Sequence, residues 1–169
     1  QALAMEPRLA FGIIQSTFAD FRTIVFDYQQ QRLKIPWRWF TNDGIARAVE
    51  MAHFEPDSIR PAESARHIRQ PVLLAHGDAD DRIKADYGRQ IFANLASDEK
   101  ELHIIRGAGH LNLMARGGEA FKATLIRFLG NKIDEIHLPQ MPQIFADYFC
   151  KLSKEKSAVI CEICGRTNN

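Results

Sequence analysis

Between residues 71 and 129 the chain says the same thing twice: a short apolar run, a glycine-bearing loop, then a stretch of helical period. PVLLA (Pro71 to Ala75) is too short for a helix and suits a buried strand. HGDADDRI follows as a loop, and the helix over Ala85 to Leu95 puts Tyr87, Ile91 and Leu95 on one face. The second round runs from a strand over Glu101 to Ile105, through the loop RGAGHLNLM, to a helix over Glu119 to Leu129 with Phe121, Leu125 and Phe128 inward. Strands separated by helices pair in parallel, because the helix supplies the crossover that a parallel pair needs. The expected fold class is α/β, a parallel sheet with helical crossovers.

The stretch before this pattern is less regular. QALAMEPRLA is compatible with a helix, with no capping residue ahead of it. The chain also opens on Gln rather than Met, as a processed chain or a piece of a longer one would. Phe11 to Ile14 reads as a buried strand, and residues 19 to 33 as an amphipathic helix with Phe21, Ile24, Val25, Tyr28 and Leu33 on its apolar face. IPWRWF, broken by Pro36, marks a loop or helix boundary. Asn42 and Asp43 are placed to cap a helix over Ile45 to Phe54, and a short helix follows Pro61. Beyond Gly130 the periodicity stops: NKIDEIHLPQMPQ reads as a linker, and the chain ends in a CxxC pair. The expected organisation is one domain over residues 1–130, with a small lid at about 21–60, and a C-terminal extension over 131–169.

Composition narrows the function classes. A chain of 169 residues can bury a real core, and a net charge of +1 gives no basic stripe for a nucleic-acid partner. No apolar run approaches the length of a membrane span. The three Cys, all at or after Cys150, do not make a disulfide framework, so a reducing, cytoplasmic setting is expected.

The chemistry-bearing residues are Asp80 and His110, each just past the end of an expected strand. In a parallel sheet such ends share one edge, where loops carry function. A catalytic His needs a carboxylate that orients it and stabilises the imidazolium. Asp78 is the rival acid, since the loop could shift by two residues. Asp81 suits the N-terminus of the next helix, and His76 reads as structural. The bland alternative is that Asp80 caps a helix and His110 is a surface histidine.

PVLLAHGDADDRI and GAGHLNL together resemble the acid loop and histidine loop of the α/β-hydrolases, and EPRLAFGIIQSTFADF resembles the segment after that superfamily's nucleophile helix. The likeness lies towards the serine-aminopeptidase-like and small-esterase branch and covers roughly residues 1–130. It implies the C-terminal part of an α/β-hydrolase fold, with Asp80 as triad acid and His110 as triad base. It also implies hydrolysis of a small ester or amide substrate with no cofactor. One departure is plain: the sequence has no G-x-S-x-G elbow, and none of Ser16, Ser58, Ser64, Ser97, Ser153 or Ser157 has the flanking glycines. The nucleophile is therefore expected upstream of Gln1, in a missing N-terminal half of the domain. This chain alone is expected to be inactive. Ser16, past the end of a strand, lacks the glycines of a strained elbow.

Phe18, Trp37 and Trp39 fall where that superfamily inserts its lid and are candidate substrate-binding residues. A contact between lid and main domain is the competing role. Cys161 and Cys164 are weak candidates for a metal, because two thiolates are half of a zinc site. A hydrolase-like module that binds rather than catalyses is the alternative function. Nothing in a pure binding module requires an acid and a histidine at adjacent strand ends.

Overall fold

The computed structural model describes residues 1–135. The expected linker and the CxxC tail, with Cys150, Cys161 and Cys164, lie outside the described residues. The chain divides into two compact units, Gln1–Glu119 and Ala120–Asn169. The first holds a three-stranded sheet of β1 (Gly12–Gln15), β2 (Val72–Gly77) and β3 (Lys100–Ile105). Both pairings are parallel and β2 is central. Helices α1 (Ala2–Met5), α2 (Phe21–Leu33), α3 (Arg38–Ala52), α4 (Pro61–Ser64) and α5 (Ala85–Asn94) complete this unit with the first turns of α6 (Leu113–Glu135). The described part of the second unit is the remainder of α6, where Phe121 and Phe128 are buried and Leu125 is half-buried.

The central position of β2 explains its unbroken apolar run. All six of its residues are buried, as both faces of a central parallel strand must be. Val72 and Leu74 pack with Ile91 and Leu95 from α5 and its end, and with Ala19, Ala62, Ala65 and Ile68. Each buried Leu contributes about 2 kcal/mol of apolar transfer. Helix α5 lies close to the strand because it presents Gly88. A Cβ there would meet His76 Nδ1 at 2.8 Å and Leu74 Cδ2 at 3.1 Å.

Several local expectations differ from what forms. Helix α1 is a single turn, since Pro7 follows at once. Helix α3 begins at Arg38, with Trp37 at the N-cap, so Asn42 and Asp43 lie inside it rather than capping it. Asp43 instead pairs with Arg47 one turn on, at 3.1 Å. Helix α2 begins after Asp20, whose carboxylate accepts from the Thr23 N–H at 2.9 Å. Its buried residues are Phe26 and Gln29, not the expected stripe, and Leu33 and Tyr28 are exposed.

The buried Gln29 closes the turn between α2 and α3. Its Nε2 donates to the carbonyls of Ile35 at 2.9 Å and Trp37 at 3.2 Å, and its Oε1 accepts from Thr41 Oγ1 at 2.6 Å. Helix α6 runs on to Glu135, past the expected end at Leu129, and is interrupted at Gly118, which has φ 56°. No helix among the described residues is long and apolar enough to cross a membrane.

Candidate active site

Parallel strands deliver their C-terminal ends to one edge of the sheet, and the register pairs Gly77 with Ile105. The loops after β2 and β3 therefore start side by side. They are laced together by backbone bonds: Asp78 N–H to Ile105 O at 3.2 Å and Ala79 N–H to Ala108 O at 3.0 Å. Gly77 permits this closeness, because a Cβ there would fall on the carbonyl oxygen of Ala108. Asp78 adds a side-chain tie, its Oδ1 accepting from the Gly107 N–H at 2.6 Å.

This leaves Asp80 to meet the histidine. Asp80 Oδ2 accepts from His110 Nδ1–H at 2.9 Å, while Oδ1 accepts from the N–H groups of Arg82 and Ile83, each at 2.9 Å. The carboxylate is wholly buried and the imidazole partly open. Burial pushes the Asp80 carboxyl up. The Ile83 N–H, His110 and the Arg82 N–H more than offset this, and the group stays below the usual carboxylate range. The result is a fixed anion that holds the His110 tautomer with its proton on Nδ1 and leaves Nε2 for chemistry.

Two neighbours frame the pair. His76 is fully buried, donates from Nε2 to Ile83 O at 2.8 Å, and stands 3.5 Å from Asp80 Oδ2. It braces the turn whose amides hold the acid. Asn112 Oδ1 accepts from the Gly109 N–H at 2.7 Å, which shapes the loop before the histidine. Neither is a partner that strand-end position alone reveals, because each acts through loop backbone: His76 on Ile83 and Asn112 on Gly109.

Beside His110 opens a cavity of about 310 Å³ lined by Ile24, Val25, Tyr28, Arg82 and Ile83. The walls are mainly hydrocarbon, with Arg82 the only cationic member. Phe18 is half-buried and is not among the lining residues. Trp37 and Trp39 are not either, being 57% and 65% exposed. Asp81 lies in the open, 3.7 Å from Arg32, rather than at a helix start. Ser16 follows β1 with a left-handed φ of 44°. It is buried, its Oγ has no hydrogen-bond partner, and it does not line the cavity. Among the described residues no group of His, Cys, Asp and Glu could hold a metal ion.

The model of the prolyl oligopeptidase family matches residues 2–135. No curated protein sequence matches. Among solved structures the chain is similar to an esterase of Pyrococcus furiosus, with a TM-score of 0.56 and 16% identity over 78% of this chain and 48% of that one. It is also similar to the acylaminoacyl peptidase of Pyrococcus horikoshii, with a TM-score of 0.55 and 16% identity over 78% of this chain and 21% of that one. These likenesses show the fold, which is of the α/β-hydrolase type. The chain spans about half the length of the esterase and about a fifth of the peptidase.

Proposed function

The chain belongs to the prolyl oligopeptidase family, and from that premise we propose that it carries the acid and base of a serine hydrolase whose nucleophile lies outside this sequence. The observation that carries the reading is the 2.9 Å bond between a buried, backbone-held Asp80 carboxylate and His110 Nδ1. In this reading a serine hydroxyl attacks an ester or amide carbonyl and His110 Nε2 takes its proton. Asp80 stabilises the imidazolium, which then returns the proton to the leaving group. The cavity lined by Ile24, Val25, Tyr28 and Ile83 supports an apolar group of the substrate next to His110. Helices α2 and α3 form the small lid over about residues 21–60, and the domain ends near residue 130.

A triad acts as a unit, so two members without the third lose almost all of the rate. The test compares the 169-residue chain with the complete polypeptide encoded by its reading frame, using a nitrophenyl ester and a fluorophosphonate label. Hydrolysis and labelling by the complete polypeptide alone, both abolished by His110→Ala, are the expected result. Labelling of Ser16 in the short chain would refute the missing nucleophile. A complete polypeptide that neither hydrolyses nor labels would refute catalysis and leave a binding module.

A further inference from the structure

We propose that the segment Arg32 to Phe40 docks this protein onto an anionic lipid surface. Asp80 and His110 play no part in this docking, and the side chains that do are used by neither the core nor the cavity. Trp37, Trp39 and Phe40 are all exposed. The two indoles stack at 6.4 Å, and Phe40 meets Trp39 edge-on at 6.0 Å. Leu33 beside them is 60% exposed. Soluble surfaces scatter single apolar residues and seldom gather large aromatics, so a contiguous patch of this kind marks an interaction site.

The charge around the patch selects the partner. Arg32, Lys34 and Arg38 interleave with the apolar residues, and the sequence holds no carboxylate between Asp27 and Asp43. Arg38 stacks over Phe26 at 4.2 Å, and both Arg38 and Lys34 are exposed to solvent. Arg32 lies over the Tyr28 ring at 5.8 Å and makes a loose contact with the exposed Asp81, at 3.7 Å. Indoles favour the headgroup level of a bilayer, where the ring is buried and the N–H stays wet, while Lys and Arg reach the phosphates. The patch is also rigidly presented. Gln29 holds the carbonyls of Ile35 and Trp37, so little ordering remains to be done on binding.

The only two tryptophans of the chain, Trp37 and Trp39, both lie in the patch, so tryptophan emission, excited selectively over tyrosine, reports on it alone. The experiment titrates the full chain with vesicles of phosphatidylglycerol mixed into phosphatidylcholine, and with pure phosphatidylcholine. A blue shift on the anionic vesicles, quenching by brominated acyl chains, and weakening by salt are expected. Lys34→Gln, at an exposed site that leaves the fold intact, should weaken vesicle binding about fivefold. Trp39→Ser, read through Trp37, should weaken it about tenfold. Unchanged emission with anionic vesicles would overturn the proposal, provided circular dichroism shows the chain folded. A blue shift that grows with protein concentration in the absence of lipid would also overturn it, because the patch would then be covered by a second copy. Binding to polyglutamate but not to vesicles would overturn it in favour of an acidic polypeptide.

Discussion

Replacing Gly77 with Ala tests how the two loops of the site are held. The added methyl would land on the Ala108 carbonyl oxygen, with the carbonyl carbon at 2.6 Å and the Ala108 Cβ at 3.1 Å. Carbon atoms rest at about 3.5–4.0 Å, so the Ala108 backbone must retreat by about 1 Å. Ala108 is fully buried and cannot yield freely. Its retreat would stretch the Ala79 N–H to Ala108 O bond of 3.0 Å and the Gly107 N–H to Asp78 bond of 2.6 Å. Overpacking costs about 1–3 kcal/mol, and each hydrogen bond lost adds about 1 kcal/mol. A loss of about 2–5 kcal/mol follows, a large share of the total stability of a domain. Urea unfolding should show a lower midpoint at an unchanged slope. The low-field Nδ1 proton of His110 should shift or broaden in the NMR spectrum, because the histidine loop has moved. The reasoning is refuted if the variant lies within about 0.5 kcal/mol of the parent with that proton unmoved. Gly44→Ala is the companion experiment: Gly44 lies inside α3 with nothing within 4 Å of a new Cβ, so this change should stabilise by about 0.5–1 kcal/mol.

Other outcomes follow from the same geometry. Asp80→Asn removes a carboxylate held below its ordinary range, whose stabilisation is present above the unfolded value near about pH 4 and is lost as pH falls through the folded one. Acid titration of stability should therefore show parent and variant converging below about pH 4. Tyr87 is half-buried and donates to Asp27 at 2.8 Å, and burial and that carboxylate hold its phenol above the ordinary tyrosine range. Its contribution is present below about pH 10 and fades as pH rises through the folded value, so Tyr87→Phe should cost about 1 kcal/mol at neutral pH and flatten the alkaline limb of the stability curve. Leu73→Ala, at a fully buried site in β2, should cost about 2–5 kcal/mol by calorimetry or urea unfolding.

Much of this fold is legible along the chain because its governing contacts repeat locally. The apolar run at 71–75 marks a strand buried on both faces, and the period of Tyr87, Ile91 and Leu95 marks the helix laid against it. Strand, helix, strand then leaves only a parallel pair, which brings Asp80 and His110 to one edge of the sheet. Which carboxylate meets the histidine is not a local property. Asp78 and Asp80 stand in the same loop, and the register of Gly77 against Ile105 sends the first to the Gly107 amide and the second to the ring.

The amide of Gln29 reads as polar surface in a helical period, yet it is buried because the turn after α2 offers it two carbonyls and a hydroxyl. The aromatics of IPWRWF read as pocket or lid contacts, yet Trp37 and Trp39 stay in solvent, because α3 starts at Arg38 and directs Thr41 and Ile45 inward instead. Sequence period reports which residues a strand or helix will bury. Hydrogen bonds between distant segments depend on register and on the angle at which elements meet, and these exist only once the tertiary structure has formed.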